Sequence, residues 1–239
     1  MILWKSFGAS VVGPGHIAAG KSNQDAWASC HSIRGDYIAV SDGLGSKPFS
    51  NLGSKVACFA VERAFHASCE QPDLSAIHLS KLIKTHWLSS ITPLEPRDCA
   101  ATCLFAMRLA RGVVQVGMLG DGLTAVLKVD GTVILLCEDK TEGFSNVTSA
   151  LTEKTSPEDW RLLSLQEEEC EAVLLCSDGI SDDLENIEPF VKAFIESHRD
   201  LSTASANRQS RKMLDNWPTP KHSDDKTIAC LCREEVADE

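Results

Sequence analysis

The sequence predicts an α+β protein in which two antiparallel sheets pack together and helix pairs cover them. Most predicted strands are short runs of Val, Ile, Leu and Cys bounded by Gly or Asp. Those between residues 100 and 137 follow one another across short turns, which implies antiparallel pairing and not strand–helix–strand units. Two helical pairs interrupt the series at separate places, so each can cover a different sheet.

Taken in order, strands are expected over Lys5–Val12, Trp27–Ile33 and Tyr37–Ser41. A helix follows over Asn51–Cys69, where Val56, Phe59, Ala60, Arg63 and Ala64 recur at helical spacing, and a second over Leu74–Leu88. Four strands come next: Ala100–Leu109, Val113–Leu119, Leu123–Val129 and Thr132–Cys137. Residues 140–166 are polar, carry Pro157 and have weak periodicity, so they read as an excursion over the surface. Glu167–Glu169 reads as a solvated charge run. The strand Ala172–Ser177, the helices Glu188–His198 and Ala204–Trp217, and the strand Thr227–Arg233 complete a single domain over residues 1–239.

Composition narrows the function. With 43% hydrophobic and 24% charged residues, the chain can bury a real core. It carries 34 Asp and Glu against 23 Lys and Arg, a net charge of −11, which repels phosphate backbones and argues against nucleic acid as the partner. The same charge favours a basic or weakly charged protein target. No apolar run reads as a membrane span, and Met1–Ser6 lacks the pattern of a signal peptide, so a cytoplasmic monomer is expected. The ten cysteines contain no Cys-x-x-Cys pair and several lie inside apolar runs, where they act as small buried hydrophobes.

Asp-Gly occurs four times. Asp130-Gly131 sits between two predicted strands and reads as a hairpin turn, and Asp121-Gly122 fits a turn or a site equally well. Asp42-Gly43 and Asp178-Gly179 differ, because each ends an apolar strand and is followed by loop or helix. A strand end holds a carboxylate rigidly at the sheet edge, and the Gly would let a cation or phosphate approach the backbone. Asp25 and the pair Asp224-Asp225 directly precede strands in the same way. Carboxylates gathered on one edge repel one another unless cations neutralise them, and Mg²⁺ or Mn²⁺ suits such oxygen ligands.

In order along the chain, these motifs resemble the metal-dependent protein phosphatase family, the protein phosphatase 2C type. The resemblance spans nearly the whole chain. It is carried by Asn23-Gln-Asp-Ala26, Ser41-Asp-Gly-Leu-Gly-Ser46, Ala101-Thr102, Leu119-Gly-Asp-Gly122, Cys176-Ser-Asp-Gly-Ile-Ser-Asp182 and Ser223-Asp-Asp-Lys-Thr-Ile228. It implies an αββα sandwich and hydrolysis of phosphoserine or phosphothreonine by a metal-activated water attacking in line, without a covalent phosphoenzyme. By resemblance Asp42 would bridge two Mn²⁺ or Mg²⁺ ions, the Gly43 carbonyl would bind one, and Asp178 and Asp224 would complete the other. Asp25 would hold metal-bound water, Asp121 and Asp182 match residues of a weaker third ion, and residues 140–166 fall where the family carries a variable flap. A phosphorylated protein is the partner implied, and a cognate Ser/Thr kinase would be its natural counterpart.

Departures from the family pattern are specific. No Arg stands shortly before the first acidic motif to grip phosphate; His16 and Lys21 are the cations available there. Gln24 replaces a Glu and Leu44 a His found in animal members, and His222 could serve as a proton donor instead. Two other readings compete. The same fold could act as a non-catalytic phosphoprotein-binding or regulatory module. Alternatively, Gly15-His-Ile-Ala-Ala-Gly-Lys-Ser22 fits the phosphate-loop pattern of a nucleotidase, with Lys21 on the phosphates and Ser22 on Mg²⁺. That reading requires a helix starting at Lys21 and an alternating parallel sheet.

Overall fold

The computed structural model describes residues 3–71, 74–136, 149–218 and 223–234. Two five-stranded antiparallel sheets form its centre. The first has the order β2-β3-β4-β5-β8, from Asp25–Ser32, Gly35–Asp42, Cys103–Leu109, Val113–Leu119 and Arg161–Gln166. The second has the order β1-β10-β9-β6-β7, from Leu3–Val11, Lys226–Glu234, Cys170–Cys176, Leu123–Lys128 and Val133–Leu136. Helices α2 (Ser50–Glu70) and α3 (Ala76–Ile91) cover the first sheet, and α5 (Ile187–Arg199) and α6 (Thr203–Asp215) cover the second. Two short helices, α1 (Pro14–Ala18) and α4 (Asp178–Ser181), sit at one end of the sandwich. The result is the expected αββα arrangement.

Strand alternation divides the apolar residues among three layers. Ile38, Val40, Leu104, Val116, Leu175 and Leu231 meet between the sheets. Their neighbours along the strands, such as Ala39, Phe105 and Met107, face α2 and α3 together with Ala57, Ala64, Ile83 and Trp87. Leu123, Leu174, Cys176 and Ile228 face Val191, Phe194 and Leu214 on the other side. Central strands such as β4 and β9 bury apolar residues on both faces, which explains their nearly continuous hydrophobic runs. The nine described cysteines are unpaired and seven are buried. Burial pushes the thiols of Cys58, Cys103, Cys176 and Cys230 up, as expected of packing groups. No helix among the described residues is long and apolar enough to cross a membrane.

Several sequence expectations are corrected. Strands β5 and β6 are consecutive but do not pair, because the chain crosses from one sheet to the other at residues 120–122. Gly120 (φ 98°) and Gly122 (φ 101°) permit that crossing, so Asp121-Gly122 is not a hairpin turn. Asp130-Gly131 does form the β6–β7 hairpin, with the Lys128 N–H donating to the Thr132 carbonyl at 2.8 Å. Part of the stretch assigned to a surface excursion, Arg161–Gln166, is the edge strand β8 paired with β5. Its exposed edge position blurs the alternation that would have marked it. Residues 140–148 of that excursion lie outside the described residues, as does His222.

Glu168 and Glu169 are exposed, as a solvated run predicts, but Glu167 is half-buried and structural. Together the three form the short turn that carries the chain from β8 to β9, across the end of the sandwich. There the Trp4 Nε1–H donates to Glu167 Oε1 at 2.6 Å, and Arg233 donates to the Glu167 carbonyl. The phosphate-loop reading also fails. The helix near Gly15–Ser22 spans Pro14–Ala18 and ends before Lys21, a strand begins at Asp25, and neither sheet is parallel.

Candidate functional site

The acidic motifs lie at one end of the sandwich because of strand direction. Asp25 starts β2 and Asp42 ends β3, and antiparallel pairing places them directly opposite each other. Thr102 precedes β4, Asp121 lies in the crossing between β5 and β6, Asp178 follows β9, and Asp224 precedes β10. Up-and-down strands thus bring distant parts of the chain to one rim.

Hydrogen bonds brace several of these positions. The Asp42 N–H donates to Thr102 Oγ1 at 2.9 Å, and the Thr102 N–H donates to the Asp42 carbonyl at 2.8 Å. The Gly43 N–H donates to the Gln24 carbonyl at 3.1 Å. Asp25 is buried, and Ser177 Oγ donates to its Oδ2 at 2.8 Å while accepting from the Thr227 N–H at 3.0 Å. Asp178 opens α4, and Asp182 closes it through an N–H bond to the Asp178 carbonyl. The glycines also answer a packing constraint. A Cβ on Gly43 would lie 2.3 Å from the Ser50 carbonyl oxygen, and one on Gly179 would lie 2.1 Å from that of Asp225. Close packing of backbone requires glycine at both positions.

The electrostatics are those of crowded acids. Burial, with some contribution from Asp225 and Asp178, raises the Asp25 carboxyl to about 7. Burial and then the charges of Asp25 and Asp178 push Asp42 well above the carboxylate range. Asp178 is raised by burial and by Asp121, Asp224 and Asp182, and its side chain hydrogen-bonds to that of Asp42. Asp178 Oδ1 is nevertheless a buried oxygen without a hydrogen-bond partner. A buried acceptor left unsatisfied among like charges suits a cation, and an all-oxygen donor set suits a hard divalent one.

Two residues behave differently from the sequence reading. His16 points inward: its Nδ1 lies 2.8 Å from Asp225 Oδ2 and 3.7 Å from Asp224 Oδ1. Lys21 is exposed, and its backbone N–H donates to the His16 carbonyl. Asp225, 1% exposed, is the functional neighbour that the sequence reading did not single out. Its Oδ1 accepts from the Gly13 N–H at 2.7 Å and its Oδ2 from the Gln24 N–H at 2.6 Å. It therefore ties the entry to α1 and the start of β2 to β10. Its position beside Asp224 was the one available signal, and nothing in the sequence says which of the two carboxylates turns inward.

Comparisons agree with this architecture. A structure of RsbX in complex with magnesium superposes with a TM-score of 0.64 at 14% identity, covering 98% of this chain and 100% of that one. A bacterial serine phosphatase gives 0.70 at 16% identity, covering 99% and 100%. The Mycobacterium tuberculosis serine/threonine phosphatase PstP/Ppp gives 0.69 at 16% identity, covering 98% and 100%. The PstP catalytic domain has also been solved in complex with two manganese ions, at 0.64 and 17% identity over 98% and 100%. No curated protein matches the sequence. The sequence profile of one family, described as protein phosphatase 2C, matches residues 12–215, and this chain belongs to that family.

Proposed function

We propose that this chain is a divalent-metal-dependent phosphatase acting on phosphoserine or phosphothreonine in proteins. The observation that carries the reading is the buried, unpartnered Asp178 Oδ1 within a group of carboxylates whose protonation is raised by burial and mutual repulsion. Asp42, the Gly43 carbonyl, Asp178 and Asp224 would hold Mn²⁺ or Mg²⁺, with Asp121 and Asp182 placed for a further ion. When bound, such cations supply positive charge to the transferring phosphoryl oxygens and acidify a water. The metal-bound relatives, RsbX with magnesium and PstP with manganese, support this choice of ion.

The chain's own residues then have distinct tasks. Asp25, fixed by Ser177, orients the attacking water through its carboxylate. Thr102 locks the Asp42 backbone, so the carboxylate stays aimed at the rim without rearrangement during the reaction. Asp225 and His16 hold the β10 end of the site against β2 and α1. His16 is thereby engaged with the acidic rim, and the phosphate grip expected of His16 or Lys21 is not assigned to either.

The test is phosphate release from p-nitrophenyl phosphate and a phosphothreonine peptide, with Mn²⁺, with EDTA, and after Asp178→Asn. Release that depends on metal and collapses in the variant is the expected result. Release that survives Asp178→Asn would remove Asp178 from the ligand set. No release from folded, metal-supplied protein would leave the phosphoprotein-binding module as the function of this fold.

A further inference from the structure

Next to the carboxylate rim lies a groove of about 430 Å³ whose lining includes Leu44, Lys47, Arg97, Ala100, Lys154 and Thr155. Its floor begins two residues beyond Asp42. The Leu44 N–H donates to the Ala100 carbonyl at 3.0 Å, and Ala101 bridges both Gly43 and Leu151. The three cations come from three separate segments: the loop after β3, the short turn Pro96–Asp98, and the turn at residues 152–155. In a chain of net charge −11, this is a local inversion of sign within a concavity.

The far wall is held firmly. The Leu151 N–H donates to the Ala101 carbonyl at 2.8 Å, the Thr152 N–H to Thr155 Oγ1 at 2.8 Å, and Thr155 Oγ1 to the Ala150 carbonyl at 2.6 Å. Lys84 Nζ, from α3, ties the Glu153 carbonyl at 2.9 Å. Asp159 is the one acid in the described lining, and its Oδ2 accepts from the Ser156 N–H at 2.7 Å, capping its own turn. Arg97 Nε lies 4.0 Å from Asp98 Oδ1, at the limit of an ion pair. The groove therefore sets three cations around a firmly held backbone wall, and its volume accommodates several side chains.

We propose that this groove binds the acidic residues flanking a phosphorylated residue, so that the preferred substrates are acidic phosphopeptides. The inference rests on the phosphatase reading only for where the phosphorylated residue sits. It reverses the expectation from net charge, because over a few ångströms the nearest charges outweigh the screened remainder of the surface. Carboxylates and a second phosphate share the chemistry that the cations recognise, and the peptides below separate them.

The experiment measures binding, so that it reads independently of turnover. Labelled peptides carrying a phosphonate analogue of phosphothreonine, flanked by four Glu, four Gln or two phosphoserines, are titrated with the full chain and Mn²⁺ by fluorescence anisotropy. The Glu-flanked peptide should bind about tenfold more tightly than the Gln-flanked one, as three exposed ion pairs allow, and the advantage should shrink at high salt. In Lys47→Glu/Lys154→Glu the ratio should vanish or invert, and in the milder Lys47→Gln/Lys154→Gln it should fall, with folding checked by circular dichroism. A further gain with phosphoserine flanks would identify multiply phosphorylated segments as the occupant. Equal binding of Glu and Gln peptides by the wild-type chain, or a preference that survives both double variants, would overturn the proposal. Preference without phosphate release in the p-nitrophenyl phosphate assay would keep the groove and reject catalysis. Release without preference would do the reverse.

Discussion

Replacing Asp178 by Asn should make the metal-free protein more stable while abolishing its response to metal. In the folded chain Asp178 is pressed against Asp42 and faces Asp121, Asp224 and Asp182, and burial adds to the cost of its charge. Two like charges 4 Å apart interact by about 4 kcal/mol at an effective dielectric of 20. The hydrogen bond between Asp42 and Asp178 means that a shared proton already relieves much of this. A net gain of about 1–2 kcal/mol is the reasonable remainder for Asn, whose amide can still donate to Asp42. For a chain of this length that corresponds to a rise in Tm of roughly 2–8 °C in EDTA. Conversely, Mn²⁺ at a hundred times its Kd stabilises the wild-type protein by about 2.7 kcal/mol, or roughly 5–10 °C. Differential scanning fluorimetry with and without Mn²⁺ reads both effects. An Asn variant that is destabilised in EDTA, or that gains as much from Mn²⁺ as the wild type, would refute the reasoning that the rim is built around a cation.

Two further predictions concern groups away from the reacting atoms. Asp225→Ala leaves the Gly13 and Gln24 N–H groups without their acceptor in a buried position. A loss of about 3 kcal/mol is expected, seen as a lower denaturation midpoint in urea, and Asp225→Asn should lose less because one oxygen remains. His198 stacks on Phe194 at 4.2 Å and Phe7 at 5.3 Å between centroids, and burial, with the Lys5 charge, lowers its pKa from 6.5 against the opposing bond to the Phe194 carbonyl. The unfolded chain takes up this proton more readily than the folded one, so stability should fall as pH drops below 6.5. His198→Phe should flatten that part of the Tm–pH curve between pH 7 and 5, and an unchanged slope would assign it to other groups.

The strands and helices legible in the sequence were those with a strong pattern. Buried strands such as β3, β5 and β9 contain strong apolar runs, and α5 carries a clear apolar face in Val191, Phe194 and Ile195. The edge strand β8 was hidden because only Leu165 among its residues is fully buried. The five-residue α1 and four-residue α4 are too short to show a period. At the site, Asp42 and Asp178 stood out because each terminates an apolar run. Ser177 and Thr227, which brace Asp25, did not, since hydroxyl residues at strand ends are common and their partner lies far away in the chain.

The amino-acid order alone determined the types of the strongly patterned elements, the antiparallel class and the family, because local periodicity and motif order are properties of the chain itself. Tertiary structure decided what depends on non-local pairing. It set which sheet each strand joins, so that β5 and β6 separate across residues 120–122 while β1 and β10 meet over 200 positions apart in the chain. It turned Asp225 and His16 inward and gave Gly43 and Gly179 their packing role. It also gathered Lys47, Arg97 and Lys154 into one groove. Charge sums over the whole sequence, but a ligand meets only the charges within about a Debye length, and folding alone chooses those neighbours.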